Sequence, residues 1–268
     1  PKRKETKWWD FPIPSFGASF VRAHKPKDNF EYLVGGSFFL QNTPYEGGEE
    51  YLARVYYKTK WTSKKNERIS YGVNGSLLYN REYEYFFWEN EKDGAYKAGA
   101  DNDFNNIRVT VDPFLKAFDK KGNIHDLKTR TYYNQPSFNT TTLLENINYN
   151  FTKPFEKIGL NLILGTDNQM FFVRVPAFVG DDVKFGNLWA IFTQLDKKFG
   201  DKVTLSGGIR WEVYKYATEK GVIPPNSRFG INWKAGKNTN LRFNVGQAFR
   251  FPSFAERFVN EKVGDETI

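Results

Sequence analysis

Few residues in this sequence have the side chains and the spacing that catalysis or metal binding requires. The chain has no cysteine and only two histidines, His24 and His125, so a zinc site would have to recruit two or three carboxylates from elsewhere. The acidic run Asp101-Asn102-Asp103 offers oxygen ligands but lacks the spacing of a calcium-binding loop. No glycine-rich phosphate loop and no nucleophile elbow occurs. These observations predict that the protein is not an enzyme and has no metal or cofactor of its own.

Charged side chains are the stronger candidates for binding a ligand. Arg210 and Glu212 fall on the polar side of an alternating segment, residues 203–213, and Arg250 follows the last predicted strand. Side chains at such positions can contact a charged ligand, or they can contact only water and neighbouring protein. The net charge of +8 comes from lysines and arginines scattered over every turn. Because no basic stripe stands out, no nucleic-acid partner is predicted.

Strands are the elements that would position these residues. Aromatic residues make up 18% of the chain and favour β-structure, and no apolar run approaches the roughly 20 residues that a membrane helix needs. Most predicted strands have about ten residues or more, as in strands that cross a bilayer at a tilt, whereas strands in soluble proteins usually have about five or six. The twelve predicted strands cover approximately residues 16–24, 30–41, 49–60, 69–88, 106–118, 123–134, 140–151, 158–166, 188–196, 203–216, 227–234 and 240–248.

Apolar and polar residues alternate along several of these strands. In residues 203–213 and 227–234, Trp211 and Trp233 share the apolar side, while Arg210 and Arg228 share the polar side. This period of two predicts one face suited to lipid and one suited to water, although a soluble sandwich would produce the same alternation. Pro113 lies inside a predicted strand, where it indicates a bulge or a local break.

Short and long connections alternate between the predicted strands. Outer-membrane barrels show this asymmetry, with short periplasmic turns and long external loops, whereas a sandwich has no reason to sort its connections in this way. Residues 135–139 are an exception, being short where a long loop is expected. The short, lysine-rich connections are residues 25–29, 61–68, 119–123, 152–157, 196–202 and 234–240, and the longer ones are residues 41–50, 89–105, 167–187 and 217–226.

Several segments, taken in order, resemble those of a known family. Residues 247–256, QAFRFPSFAE, resemble the barrel signature of TonB-dependent outer-membrane receptors, in which a strand ends in an aromatic-Arg-x-Pro-Ser run followed shortly by Glu. Residues 188–196 and 201–211 resemble a strand pair common in this family, and residues 69–75, 111–114 and 120–123 are similar to its members from Bacteroidetes. The signature is carried by Gln247, Phe249, Arg250, Pro252, Ser253 and Glu256.

The resemblance implies an all-β fold, an antiparallel up-and-down transmembrane β-barrel in the bacterial outer membrane. The family has a barrel of 22 strands preceded by a plug domain and a TonB-contacting box. We therefore expect residues 1–268 to be a partial barrel of about twelve strands, cut within an outer loop at each end and lacking both the plug and the box. The implied function is active transport of a scarce ligand, foremost an iron-siderophore or another metal chelate, energised by the TonB machinery. Haem, a corrinoid, a sugar or a peptide would also suit such a receptor. Outer-membrane lipid, TonB and that small molecule are the implied partners.

One alternative belongs to a different functional class. A soluble carbohydrate-binding or adhesive β-sandwich would stack its ligand on Trp8, Trp9 or Trp88. In the barrel, by contrast, the ligand is bound by loops and by lumen-facing residues such as Arg210, Glu212 and Arg250. Both histidines fall beside short connections, so the barrel prediction places them at the periplasmic end, away from any captured ligand.

Overall fold

The computed structural model describes residues 12–42, 48–83, 103–137, 140–176, 180–250, 252, 262–263 and 266–267. Within them, twelve long strands each pair antiparallel with the next, giving one continuous sheet whose edges are the first and the twelfth strand. The strands are β1 (Ser15–Lys27), β2 (Phe30–Asn42), β3 (Glu49–Thr62), β4 (Ile69–Tyr83), β5 (Asp103–Phe118), β6 (Ile124–Pro136), β7 (Thr141–Phe155), β8 (Leu160–Val175), β9 (Gly180–Phe199), β10 (Val203–Tyr216), β11 (Glu219–Gly236) and β12 (Thr239–Gly246).

The predicted all-β, up-and-down architecture is confirmed, and each of the twelve predicted strands is present. A 3-10 turn, Glu156–Ile158, follows β7, and the short strands β13 (Lys262–Val263) and β14 (Glu266–Thr267) pair with each other. Among the described residues, no helix is long and apolar enough to span a membrane. A single continuous sheet is not the pair of packed sheets of a sandwich, so the alternative fold is wrong. Trp8, Trp9 and Trp88 lie outside the described residues.

The prediction of long loops at residues 217–226 and 167–187 is wrong, because most of these residues belong to strands. Residues 217–226 were expected to form a loop, but β11 begins at Glu219 and only residues 217–218 turn the chain. The pairing between β10 and β11 moves from Arg210 with Asn226 to Glu212 with Ile223, so β11 contains one extra residue there. Pro224 and Pro225 lie in this bulge, where a residue without a backbone N–H is tolerated. The prolines therefore mark an irregularity within a strand and not its end.

The second such region, residues 167–187, is almost entirely strand. β8 continues to Val175 and β9 begins at Gly180, so residues 176–179 connect them. The segment is rich in Asp, Asn and Gln, which is why it resembles a loop in sequence. In the folded chain these side chains bond to one another, as when the amide of Asn187 donates to Asn168 at 3.3 Å. The predicted loop over residues 89–105 lies for the most part outside the described residues.

Pro113 interrupts one ladder without shifting the register. On the β4 side the pairing is continuous through Pro113 with Val73. On the β6 side the bridges stop at Val111 with Thr131 and resume at Phe114 with Lys128, in the same register. The expected local break is therefore present and the bulge is not. The Thr129 hydroxyl donates to the Pro113 carbonyl at 3.3 Å, which partly restores the lost connection.

The two faces of the sheet have the predicted compositions. Trp211 and Trp233 lie on an apolar face and are 51% and 47% exposed. Arg210 and Arg228 lie on the opposite, polar face, where Arg228 donates a hydrogen bond to Gln194. The predicted register of these strands is confirmed. Most of the exposed large hydrophobic side chains of the described residues lie on the apolar face.

Candidate ligand-binding wall

A hydrogen-bonded network centred on Asp167 spans the polar face from β7 to β10. Asp167 is only 7% exposed. Its carboxylate accepts hydrogen bonds from the side-chain amides of Asn146 and Gln169, at 2.7 and 3.1 Å, and from the Arg210 guanidinium at 3.0 Å. A buried charge is tolerated when it is paired and fully hydrogen-bonded, so these contacts explain how a carboxylate lies within the sheet.

Arg210 reaches Asp167 across an intervening strand. Ala190 of β9 pairs with Asp167 on one side and with Glu212 on the other, and its small side chain is 2% exposed. The guanidinium passes over this alanine, also donates to Glu212, and lies 5.7 Å from the centre of the Phe192 ring. Arg210 therefore has two carboxylate partners and an aromatic contact. It is a structural cross-link of the wall as well as a surface charge.

A small glycine makes room for the ring under this arginine. A Cβ placed on Gly165 of β8 would lie 2.2 Å from the Phe192 ring, so no larger residue fits without moving it. The ring in turn supports the guanidinium of Arg210 through a cation–π contact. Gly165, Phe192 and Arg210 come from three adjacent strands. Their positions are set by the register of the sheet.

A pocket of about 390 Å³ brings the predicted ligand-binding residues beside the signature segment. Arg210 and Glu212 line it together with Gln247 and Phe249. The backbone N–H of Gln247 donates to the Ser227 carbonyl at 2.9 Å, and its side-chain oxygen accepts from the Ser227 N–H at 3.3 Å. Gln247 thus ties the end of β12 to β11, which is a structural role for the signature.

The remaining signature residues are less well placed with respect to this pocket. Arg250 and Pro252 follow the strand and are exposed, and neither belongs to the lining of the pocket. Ser253 and Glu256 lie outside the described residues. The structure therefore brings Arg210, Glu212, Gln247 and Phe249 together, while Arg250 lies at the end of β12.

Two arginines that sequence analysis did not single out stand on the same polar face, at β3 and β5. Arg54 and Arg108 both flank Leu78 of β4, since Leu78 pairs with each of them. Neither forms a salt bridge within the described part of the chain: Arg54 lies over the Tyr56 ring at 5.6 Å, and Arg108 donates to the Asn134 amide oxygen at 3.4 Å. Alternation places them on the polar face, but only the pairing of strands shows that they are neighbours.

Two other arginines of the polar face, Arg130 and Arg210, have carboxylate partners. Arg130 forms a two-pronged ion pair with Asp112, at 2.9 and 2.8 Å, and Arg210 pairs with Asp167 and Glu212. Paired guanidinium groups are neutralised locally, whereas unpaired ones retain their charge for a ligand. This contrast distinguishes the arginines that hold the wall together from those that remain available to an anion.

Both histidines lie on the apolar face at the end with the short turns. The His24 ring is 5.9 Å from the ring of Tyr32, and His125 Nδ1 is 2.8 Å from the Tyr149 hydroxyl. Within the described residues, no group of three or more histidines and carboxylates could hold a metal ion. Asp101 and Asn102 of the acidic run lie outside the described residues.

The chain resembles known proteins in both sequence and fold. The family model "TonB dependent receptor-like, beta-barrel" matches residues 11–266. Curated protein sequences yield no significant match. The fold resembles the siderophore receptor PirA from Pseudomonas aeruginosa, with a TM-score of 0.67 and 9% identity over 90% of this chain and 43% of that one.

Two further solved structures are similar. The FrpB iron transporter from Neisseria meningitidis has a TM-score of 0.64 and 12% identity over 87% of this chain and 43% of that one. The structure of the FpvAI-pyocin S2 complex gives a TM-score of 0.69 and 10% identity over 86% of this chain and 39% of that one. The chain thus spans about two fifths of these proteins, and identities this low show the shared fold alone. Because the family model covers nearly the whole sequence, the chain belongs to the TonB-dependent receptor β-barrel family and is an outer-membrane β-barrel protein.

Proposed function

We propose that this chain is the barrel part of an active transporter that captures a scarce ligand outside the cell, with an iron-siderophore as the best candidate. Its main support is the division of the sheet into an exposed apolar face, suited to outer-membrane lipid, and a polar face that carries charged side chains into the lumen. PirA is a siderophore receptor and FrpB an iron transporter, which favours an iron complex. The proposed role is transport, without catalysis.

The proposed transport also needs a plug domain and the TonB machinery. We propose that residues 1–268 form a partial barrel, and that a plug domain in the same receptor contacts the TonB machinery. The coverage of about two fifths of the solved relatives supports this arrangement. Nucleic acid has no role in it.

Within the lumen, we propose two groups of residues with different tasks. Arg210 and Glu212 form a binding wall, and their charges are partly satisfied internally because Arg210 pairs with Asp167 and Glu212. Arg250, at the end of β12, is a further candidate contact. Arg54 and Arg108 have no carboxylate partner among the described residues, and both are exposed. They stand two strands apart, about 10 Å between backbones, so one carboxylate-bearing ligand can contact both. An anionic metal chelate fits this pair best.

The transport proposal is tested by growth. A deletion strain is supplied with single iron sources and single vitamins, and loss of growth on one ferric chelate is the expected result. A growth defect on a vitamin or a sugar alone would contradict the iron assignment. Unimpaired growth on every source, with full uptake of each, would contradict transport itself.

The ligand contacts are tested separately by titration of the full-length receptor. Replacing Arg54 and Arg108 by alanine should weaken binding of an anionic chelate by about tenfold or more, since a charged hydrogen bond contributes about 1.5 to 3 kcal/mol. The control replaces Lys64 and Lys65, in the turn after β3, by alanine and removes the same charge. Equal affinity in both variants would show that the two arginines do not contact the ligand.

A further inference from the structure

Two lysines face each other at the end of β10 and β11 that is joined by residues 217–218. Lys215 pairs directly with Lys220, and both side chains are exposed on the same face of the sheet. Like charges directly opposite one another across two strands are destabilising. Neither lysine has a hydrogen bond or an ion pair with any residue in the described part of the chain. The pair thus concentrates positive charge without an internal counter-ion.

The lysines lie on the lipid face and continue an apolar strip. On the same face, Val213 pairs with Val222 immediately below them, and these side chains are 39% and 69% exposed. Trp211 precedes Val213 by two residues in β10 and is 51% exposed. Trp189 of the adjacent strand pairs with Val213. Along β10 toward residues 217–218, the surface therefore presents Trp211, then the valine pair with Trp189 beside it, then the lysines.

The height of the lysines matches the headgroup layer of the outer leaflet. Tryptophans on the lipid face of a barrel mark the interface between hydrocarbon and headgroups. Lys215 is four residues beyond Trp211, which is about 9 Å at roughly 3.3 Å per residue and a tilt near 45°. The headgroup layer is about 5 to 8 Å thick on each side, and a lysine stem can bend back along an apolar surface. Both ammonium groups therefore reach the level at which lipid phosphates lie.

We propose that Lys215 and Lys220 bind the phosphate of a phosphorylated outer-leaflet lipid, whose acyl chains lie against Val213, Val222 and Trp211. A dianionic phosphate between the two ammonium groups removes their mutual repulsion, and the exposed valines explain why the occupant is an amphiphile and not a free anion. The site faces away from the lumen, so it is independent of the transported ligand. It holds whether or not the proposed iron transport is correct.

The test measures binding of lipid A to the full-length receptor in a neutral detergent by native mass spectrometry. Replacing Lys215 and Lys220 by alanine should weaken binding of bis-phosphorylated lipid A by about 30-fold, which corresponds to about 2 kcal/mol for two surface lysines. The matched control replaces Lys202 and Lys237, at turns of the opposite end, and should leave the affinity unchanged. The double arginine variant, K215R/K220R, keeps the charge and should retain binding.

The proposed site should require both the phosphates and the acyl chains of the lipid. Lipid A without its phosphates should bind the wild-type receptor as weakly as the bis-phosphorylated form binds the alanine variant. Equal affinity of the alanine variant and the wild type for bis-phosphorylated lipid A would overturn the site. Binding of inorganic phosphate as tight as that of lipid A would also overturn it, because the pair would then be a simple anion site. Folding of each variant is checked by the heat-dependent shift of the barrel in electrophoresis.

Discussion

Replacing Asp167 by asparagine removes the central acceptor of the lumen wall while keeping its shape. The carboxylate accepts hydrogen bonds from Arg210 at 3.0 Å, from Asn146 at 2.7 Å and from Gln169 at 3.1 Å. An asparagine side chain has a single acceptor oxygen, and its NH₂ group would face groups that are themselves donors. A hydrogen bond to a charged group is worth about 1.5 to 3 kcal/mol and a neutral one about 1 kcal/mol. Arg210 keeps its second carboxylate partner, Glu212, in this variant. Solvent also screens the charge of Arg210, because its side chain is 34% exposed. We expect a loss of about 2 to 3 kcal/mol in the free energy of unfolding.

The measurement is urea-induced unfolding of the full-length receptor in lipid vesicles, followed by tryptophan fluorescence. Asp181→Asn is the matched control, because it breaks the ion pair with Arg174 at 2.9 Å, where the aspartate side chain is 82% exposed. A surface pair of this kind is worth less than about 1 kcal/mol. Equal free energies of unfolding for the two variants would refute the conclusion that the Asp167 network holds the wall together.

Three other predictions follow from the positions of single residues. Leu164 of β8 is 44% exposed on the apolar face, so Leu164→Arg places a charge on the lipid face. It should lower the free energy of unfolding in vesicles by up to about 4 kcal/mol, the cost at the middle of the bilayer, and the effect should shrink in detergent. Replacing His24 and His125 by glutamine should leave ligand affinity unchanged in a titration, and a tenfold loss would mean that the two ends of the barrel are assigned the wrong way round. Asp119 accepts hydrogen bonds from the side chain and backbone of Asn123 and from the backbone of residue 121, which lowers its pKa. A lowered pKa stabilises the turn above the ordinary aspartate value of about 4 and loses that effect as the pH falls through the lowered value. Asp119→Asn should therefore be less stable than the wild type at pH 6, and the difference should vanish in strong acid.

The sequence by itself determined the strands and their two faces. The alternation of Trp211 and Trp233 with Arg210 and Arg228 is a local property of consecutive residues, because successive side chains in a strand point to opposite sides. The strand order also follows, since each strand pairs with the next one in the chain. The histidines could be assigned to one end of the sheet for the same reason. None of these inferences depends on contacts between residues distant in sequence.

The tertiary structure alone decided which charges have partners. Asp167 and Arg210 are 43 residues apart and meet only because β9 places a small alanine between them. The same charge pattern leaves Arg54 unpaired, and the register of β10 and β11 sets Lys215 opposite Lys220. The adjoining ends of β8 and β9 were also decided by the tertiary structure, because their polar side chains resemble a loop in sequence until the neighbouring strand supplies their hydrogen bonds. Register is a relation between strands, so alternation within one strand cannot reveal which side chains meet.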